Sequence, residues 1–203
     1  MLFENLFDTK SINMILVRHG QAGRRDPDSG YIGRSLTKTG IQQAKSLGVH
    51  LSDLAIDCFY SSDMARSFQT AKELHIHHPH SPFFINTSLR EITGLSRPEA
   101  PLELSDSDKR VQRNELSRGR RFARDLRMNH HSGDVVAVVA HAGINNLILA
   151  NLCHLRYRKT VRYLWSHTSV SVLNVTSSSI VFRTVGYTNH LTSGLITYEN
   201  DPD

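Results

Sequence analysis

Apolar and polar positions along the chain switch between two periods, and the switching predicts a layered α/β fold. Met14 to Val17 is a short unbroken apolar run ending at Arg18-His19-Gly20, which predicts a buried strand followed by a loop. Thr37 is suited to cap a helix in which Ile41, Ala44, Leu47, Leu51 and Leu54 recur at helical spacing. Asp57 to Tyr60 reads as a strand, and Ser61-Ser62-Asp63 then opens a second helix through about Leu74. Phe83 to Ile85 reads as a short strand, and residues 94 to 107, with their prolines, serines and acids, as a loop or lid. Asp108 to His130 reads as a long polar helix whose sparse apolar set is Val111, Leu116, Phe122, Ala123 and Leu126. Val135 to Val139 is the clearest buried strand; it runs into Ala140-His141-Ala142-Gly143, and a helix follows from Ile144 to about Leu152. Val170 to Val175 and Ile180 to Val185 read as a final strand pair around Thr176 to Ser179.

Composition narrows the class without choosing a chemistry. With 203 residues the chain can bury a sizeable core unaided by disulfides or metal. Cys58 and Cys153 are the only cysteines, so a disulfide framework is not expected and a reducing compartment fits. No apolar run is long enough to span a bilayer, and the first ten residues do not read as a signal peptide, so the expected location is cytoplasmic. The formal charge of +5 suits an anionic partner, whether phosphorylated metabolite, acidic surface or nucleic acid.

Three strand-to-helix junctions carry the candidate chemistry: Arg18-His19, Ser62-Asp63 with Arg66, and His141. Ligands of open α/β sheets collect at the carboxyl ends of strands, so the three clusters are expected to converge on one crevice. Phosphoryl transfer needs cations and donors for the equatorial oxygens, an in-line nucleophile and a proton for the leaving oxygen. Arg18 and Arg66 supply planar forks for phosphate, and His141 a further donor. His19 can attack through a neutral ring nitrogen, which its arginine neighbours favour. Glu91 can protonate the leaving alcohol and later activate water.

Five segments carrying these residues occur in order: Arg18-His19-Gly20, Leu36-Thr37-x-x-Gly40-x-x-Gln43-Ala44, Tyr60-Ser61-Ser62-Asp63-x-x-Arg66-x-x-Gln69-Thr70-Ala71, Leu89-Arg90-Glu91 and Val139-Ala140-His141-Ala142-Gly143. The chain thereby resembles the histidine phosphatase superfamily, also called the phosphoglycerate mutase-like family. The resemblance implies a three-layer α/β/α sandwich with a mostly parallel central sheet, formed by residues 14–203 as one catalytic domain after an extension of residues 1–13. It implies a phosphohistidine on His19, a phosphate pocket of Arg18, Arg66 and His141, Glu91 as proton donor, and no cofactor or metal. Gln21, Arg25 and Ala142 are added as substrate-binding candidates because they flank the two histidine motifs. Ala22 and Arg25 stand where many relatives carry a hydroxyl residue and an asparagine.

Mutase members carry a long insertion between the acid and the second histidine, whereas only 49 residues (92–140) lie between Glu91 and His141 here. That spacing favours a phosphomonoesterase of the histidine acid phosphatase type over a phosphoglycerate mutase. A phosphohistidine-protein phosphatase is a further alternative, and an inactive phospho-ligand or RNA-binding module is the non-enzymatic one. The expected partner is a small phosphorylated metabolite, then a phosphoprotein, with neither membrane nor nucleic acid.

Two other clusters receive bland readings. His75, His77, His78 and His80 could hold a transition metal, but without a neighbouring carboxylate or thiol a solvated helix end is the better reading. Eight Lys or Arg residues lie between Lys109 and Arg127, without interleaved aromatics, and read as a solvated face or as one that steers anions. Neither cysteine sits in a phosphate-cradling Cys-x5-Arg loop, and buried structural thiols are expected.

Overall fold

A computed structural model describes residues 3–23, 33–93, 103–155, 157 and 163–198. The elements run β1 (Ile12–Arg18), α1 (Lys38–Leu51), β2 (Cys58–Ser61), α2 (Ala65–His75), β3 (Phe83–Ile85), α3 (Asp106–Asn129), β4 (Val135–Ala140), α4 (Ala142–Leu152), β5 (Val170–Val175) and β6 (Ile180–Tyr187). The six strands form one sheet in the order β3-β2-β4-β1-β5-β6. β3, β2, β4 and β1 are mutually parallel, and β5 and β6 continue the sheet antiparallel, so the sheet is mostly parallel as expected.

Alternation along the central strands builds two cores. Met14 and Leu16 of β1 and Val136, Val138 and Ala140 of β4 face Phe122, Ala123 and Leu126 of α3 and Ile144, Leu147 and Ile148 of α4. Ile15, Val17, Val135, Ala137 and Val139 pack on the other face with Leu47 and Leu51 of α1 and Ala71 and Leu74 of α2. Every residue of β1 and β4 is buried, which is why both read as unbroken apolar runs. Helices on both faces of the sheet make the three layers.

Several boundaries move for identifiable reasons. β1 starts at Ile12, and Phe3 is buried with its ring edge-on to His50 and Tyr187, so residues assigned to the extension join the second core. Thr37 caps α1 as expected, its hydroxyl accepting from the Gly40 amide. α2 starts later than expected: Ser61 belongs to β2, the Ser62 hydroxyl accepts from the Met64 amide, and Asp63 is paired with Arg90. Of the apolar set expected on α3, Val111 is exposed. The expected loop or lid at 94–107 falls mostly on residues 94–102, outside the described residues; α3 begins at Asp106, where Ser105 caps it. No helix among the described residues is long and apolar enough to cross a membrane.

Candidate active site

Strand register creates the site. Arg18 of β1 lies opposite Ala140 of the parallel β4, so the next residues, His19 and His141, emerge side by side. Their rings meet edge-on with centroids 4.9 Å apart. β1 leads to α1 on one face and β4 to α4 on the other, and such a divergence between adjacent parallel strands opens a crevice at their carboxyl ends. β2 flanks β4, Ser61 opposite Val139, and sends Arg66 into this crevice from the first turn of α2.

The hydrogen bonds of His19 identify its tautomer. Nδ1 lies 2.7 Å from the Gly20 carbonyl, which can only accept, so Nδ1 carries the hydrogen. Nε2 therefore presents a lone pair, and Arg66 Nε donates to it at 3.1 Å. Burial, then His141, Arg66, Arg18 and His167 around it, hold the ring's pKa well below the ordinary 6.5. Burial, then Arg66, Arg18 and Arg118, do the same for His141. His141 is fully buried, and neither of its ring nitrogens has a hydrogen-bond partner among the described residues. Unmet nitrogens of this kind are costly and point to a ligand that supplies the partner.

Arg18 is buried, and its Nη1 donates to the Trp165 carbonyl. Glu91 is buried at the start of α4, its Oε1 accepting from the Ile92 and Ile144 amides at 2.8 and 3.0 Å and its Oε2 from the Gly143 amide at 3.1 Å. A β-carbon on Gly143 would lie 2.5 Å from Glu91 Oε1, so only glycine lets the carboxylate reach the helix end. Asp63 accepts from Arg90 Nε at 2.9 and 3.0 Å, and Arg118 of α3 donates to the Arg90 and Glu91 carbonyls at 2.8 and 3.3 Å. Part of the basic face of α3 thus clamps the Glu91 loop.

His19, Arg66 and His141 gather in one crevice, with Arg18 beside them and Glu91 two residues past His141 on the α4 amides. Gln21 and Ala142 lie close to these residues in the chain. Gln21 is buried and joins the loop to α1: its Oε1 accepts from the Thr37 hydroxyl and its amide donates to Gln43 Oε1. Ala142 is the half-buried first residue of α4, and Arg25 lies outside the described residues. Other motif residues act as scaffold, Gly20 donating its amide to Thr70 Oγ1 at 3.0 Å and Leu36 to Gln69 Oε1 at 2.8 Å. Among the histidines from the end of α2 onward, His75 Nε2 is committed to the Ser81 carbonyl at 2.7 Å. No group of three or more metal-ligating side chains occurs among the described residues. Cys58 is buried, which pushes its thiol up to about 12.

One residue of the crevice was not singled out from the sequence. His167 precedes the antiparallel β5, and its ring centroid lies 5.8 Å from that of His19. Burial, then Arg18, pushes its pKa down to about 3, while the Thr197 backbone opposes the shift. Burial also lowers His190 to about 4. A folded chain that keeps these rings neutral loses stability when the unfolded chain protonates them. Unfolding free energy should therefore be intact above the unfolded value near 6.5 and fall as pH drops from about 6.5 towards 4, each ring adding up to about 1.4 kcal/mol per pH unit. That window lies above the carboxylate range. Urea unfolding at about pH 7.5 and about pH 5 checks it, and equal midpoints would contradict the burial of these rings as neutral species.

A family model described as the histidine phosphatase superfamily (branch 1) matches residues 14–188. The 2,3-bisphosphoglycerate-dependent phosphoglycerate mutases of Chlamydia pneumoniae and Chlamydia muridarum are 38% and 37% identical to the chain over 60 residues. The matched stretch is 29% of this chain and 26% of each relative, so it spans about a quarter of those proteins. Among solved structures, Bacillus stearothermophilus YhfR superposes with a TM-score of 0.68 at 20% identity, covering 89% of this chain and 99% of that one. The phosphoglycerate mutase from Bacillus anthracis str. Sterne gives 0.67 at 18% identity, covering 90% and 96%. The alpha-ribazole phosphatase from Shigella flexneri gives 0.66 at 19%, covering 87% and 96%. At these identities the likeness is one of fold.

Proposed function

We infer, since this chain belongs to the histidine phosphatase superfamily (branch 1), that it hydrolyses phosphate monoesters through a phosphohistidine formed on His19. The observation that carries this reading is the Nε2 lone pair of a buried, neutral His19, held against the Arg66 guanidinium. Two guanidinium charges, Arg18 and Arg66, beside neutral imidazoles match the two negative charges of a monoester dianion. The unpartnered His141 ring can donate to a phosphoryl oxygen as charge builds there.

In the proposed cycle, His19 Nε2 attacks phosphorus in line, forming the N–P bond as the ester P–O bond breaks. Glu91 passes a proton to the departing alkoxide. Its carboxylate then takes a proton from water, whose oxygen displaces the phosphoryl group from Nε2 and regenerates the free imidazole. The substrate class proposed is a small phosphorylated metabolite, with the 49-residue spacing (92–140) between Glu91 and His141 supporting water as acceptor. The curated matches favour a second reading, phosphoglycerate mutase. Incubation with a panel of phosphorylated metabolites, phosphopeptides and phosphohistidine protein separates the two: released phosphate supports hydrolysis, and isomer exchange without it supports the mutase.

Glu91→Gln tests the proton donor. Turnover of alkyl phosphates should fall by about 10²–10⁴-fold, with a much smaller loss for an aryl ester whose leaving group needs no proton. The substituted amide also turns an N–H₂ group towards backbone N–H donors, so a stability loss of about 1–3 kcal/mol should accompany it. A rate loss equal across leaving groups would remove Glu91 from the acid role.

A further inference from the structure

His19 stands in a row of three imidazoles along the carboxyl edge of the parallel strands. His141 flanks it from β4, and His167 flanks it from the segment entering β5. A hydrogen-bond chain stands behind His167 and engages one of its ring nitrogens. The Gln21 amide donates to Gln43 Oε1 at 2.8 Å, which makes Gln43 Nε2 the donating end. That nitrogen donates to the Leu195 carbonyl at 2.7 Å and to Thr197 Oγ1 at 2.8 Å. The Thr197 hydroxyl, which accepts from Gln43, also bonds His167 Nδ1 at 2.8 Å. With Nδ1 engaged by Thr197, Nε2 is the ring nitrogen left for a ligand, and it makes no hydrogen bond among the described residues.

The backbone around His167 supports a purpose for this arrangement. Thr168, a fully buried β-branched residue, adopts φ of 54°, in the left-handed region that such residues avoid. Its amide donates to the His19 carbonyl at 3.3 Å, and its Oγ1 lies 3.1 Å from His190 Nε2. A strained residue fastened at both sides keeps His167 against the crevice, and Trp165 nearby accepts from Arg18.

We propose that His167 is a further phosphate-binding residue of this site, its Nε2–H donating to a non-bridging phosphoryl oxygen beside Arg18. The assignment rests on the reading of the crevice as a phosphoryl site. It makes Gln43 and Thr197 positioning residues, since they hold the His167 ring through Nδ1 without touching the phosphate.

The test is titration calorimetry with inorganic phosphate, run beside hydrolysis of p-nitrophenyl phosphate and thermal melts. His167→Ala should weaken phosphate binding and raise KM by roughly 10- to 100-fold. His167→Gln, which can bring an amide N–H near the Nε2 position, should recover most of that loss. Nitrogen-15 spectra of the wild-type imidazoles should show the Nε2–H tautomer at His167. Wild-type phosphate affinity in His167→Ala, an equal loss in His167→Gln, or an Nδ1–H tautomer would each overturn the proposal. Phosphate binding that depends on His167 in a protein that hydrolyses no ester would retire the hydrolase reading and leave this assignment standing. Ester hydrolysis with phosphate affinity indifferent to His167 would do the reverse.

Discussion

Replacing His19 with alanine is expected to lower ester hydrolysis by at least about 10⁴-fold, because the variant lacks the only group proposed to bond covalently to phosphorus. The loss should lie in the chemical step. Arg18, Arg66 and His141 remain in His19→Ala, so inorganic phosphate should bind within about ten-fold of the wild-type affinity. Acid quenching would destroy the intermediate, so trapping must be done in alkali, where wild-type enzyme should retain label from a phosphorylated substrate and the variant none. The neutral state of His19 adds a pH signature. Its depressed pKa means that protonation of the nucleophile should not limit kcat/KM near the ordinary histidine value, and the acid limb should fall well below 6.5. Full hydrolysis by His19→Ala would falsify the phosphohistidine route, and label retained in the variant would mean that the label reports another site.

The second large effect is structural and arises where α1 crosses the loop after His19. A β-carbon on Gly40 would lie 2.0 Å from the Gln21 carbonyl oxygen and 2.9 Å from its carbon, and one on Gly20 would lie 2.6 Å from the Gly40 oxygen. Backbone meets backbone, so no side chain can turn aside. The same crossing is tied by the Thr37 amide to the Gln21 carbonyl at 3.0 Å and by the Gln21 amide to Gln43 Oε1 at 2.8 Å. Gly40→Ala should therefore cost about 3 kcal/mol or more, lowering Tm by roughly 6–12 °C. Because the displaced loop carries His19, hydrolysis should fall about 10²-fold as well. Gly194→Ala is the matched control: nothing lies within 4 Å of its added carbon, and stability should move by less than about 1 kcal/mol. A Gly40→Ala protein as stable as the control would show that the crossing can open freely.

The strands and helices were legible because their signals are local. β1 and β4 read as buried strands from unbroken apolar runs, and Thr37 announced the start of α1 one residue ahead of Lys38. Glycines at 20, 40 and 143 recur in the quoted motifs, but only the structure explains them, as backbone crossing for the first two and room for the Glu91 carboxylate for the third. Asp63 in one motif and Arg90 in another form an ion pair that links two segments far apart in sequence. Gln21 is a substrate-binding candidate from its place after the histidine motif, and only the structure shows its side chain bonded to Thr37 and its backbone amide to Gln43.

His167 shows where one-dimensional reading stops. A search of strand carboxyl ends finds His19 and His141, because parallel strands point their last residues to the same edge. β5 runs the other way, opposite Val17 at Val170, so its entry rather than its exit reaches that edge. Nothing local at Ser166-His167-Thr168 announces a site. By itself, the sequence determined which residue types could do phosphoryl chemistry and which segments would be buried, since both depend on side-chain chemistry and near-neighbour spacing. Strand order and direction decided which of those residues share a crevice, because that property exists only once distant segments are hydrogen-bonded in register; which nitrogen of His19 presents a lone pair was decided by the folded backbone at Gly20, whose carbonyl takes the Nδ1 hydrogen.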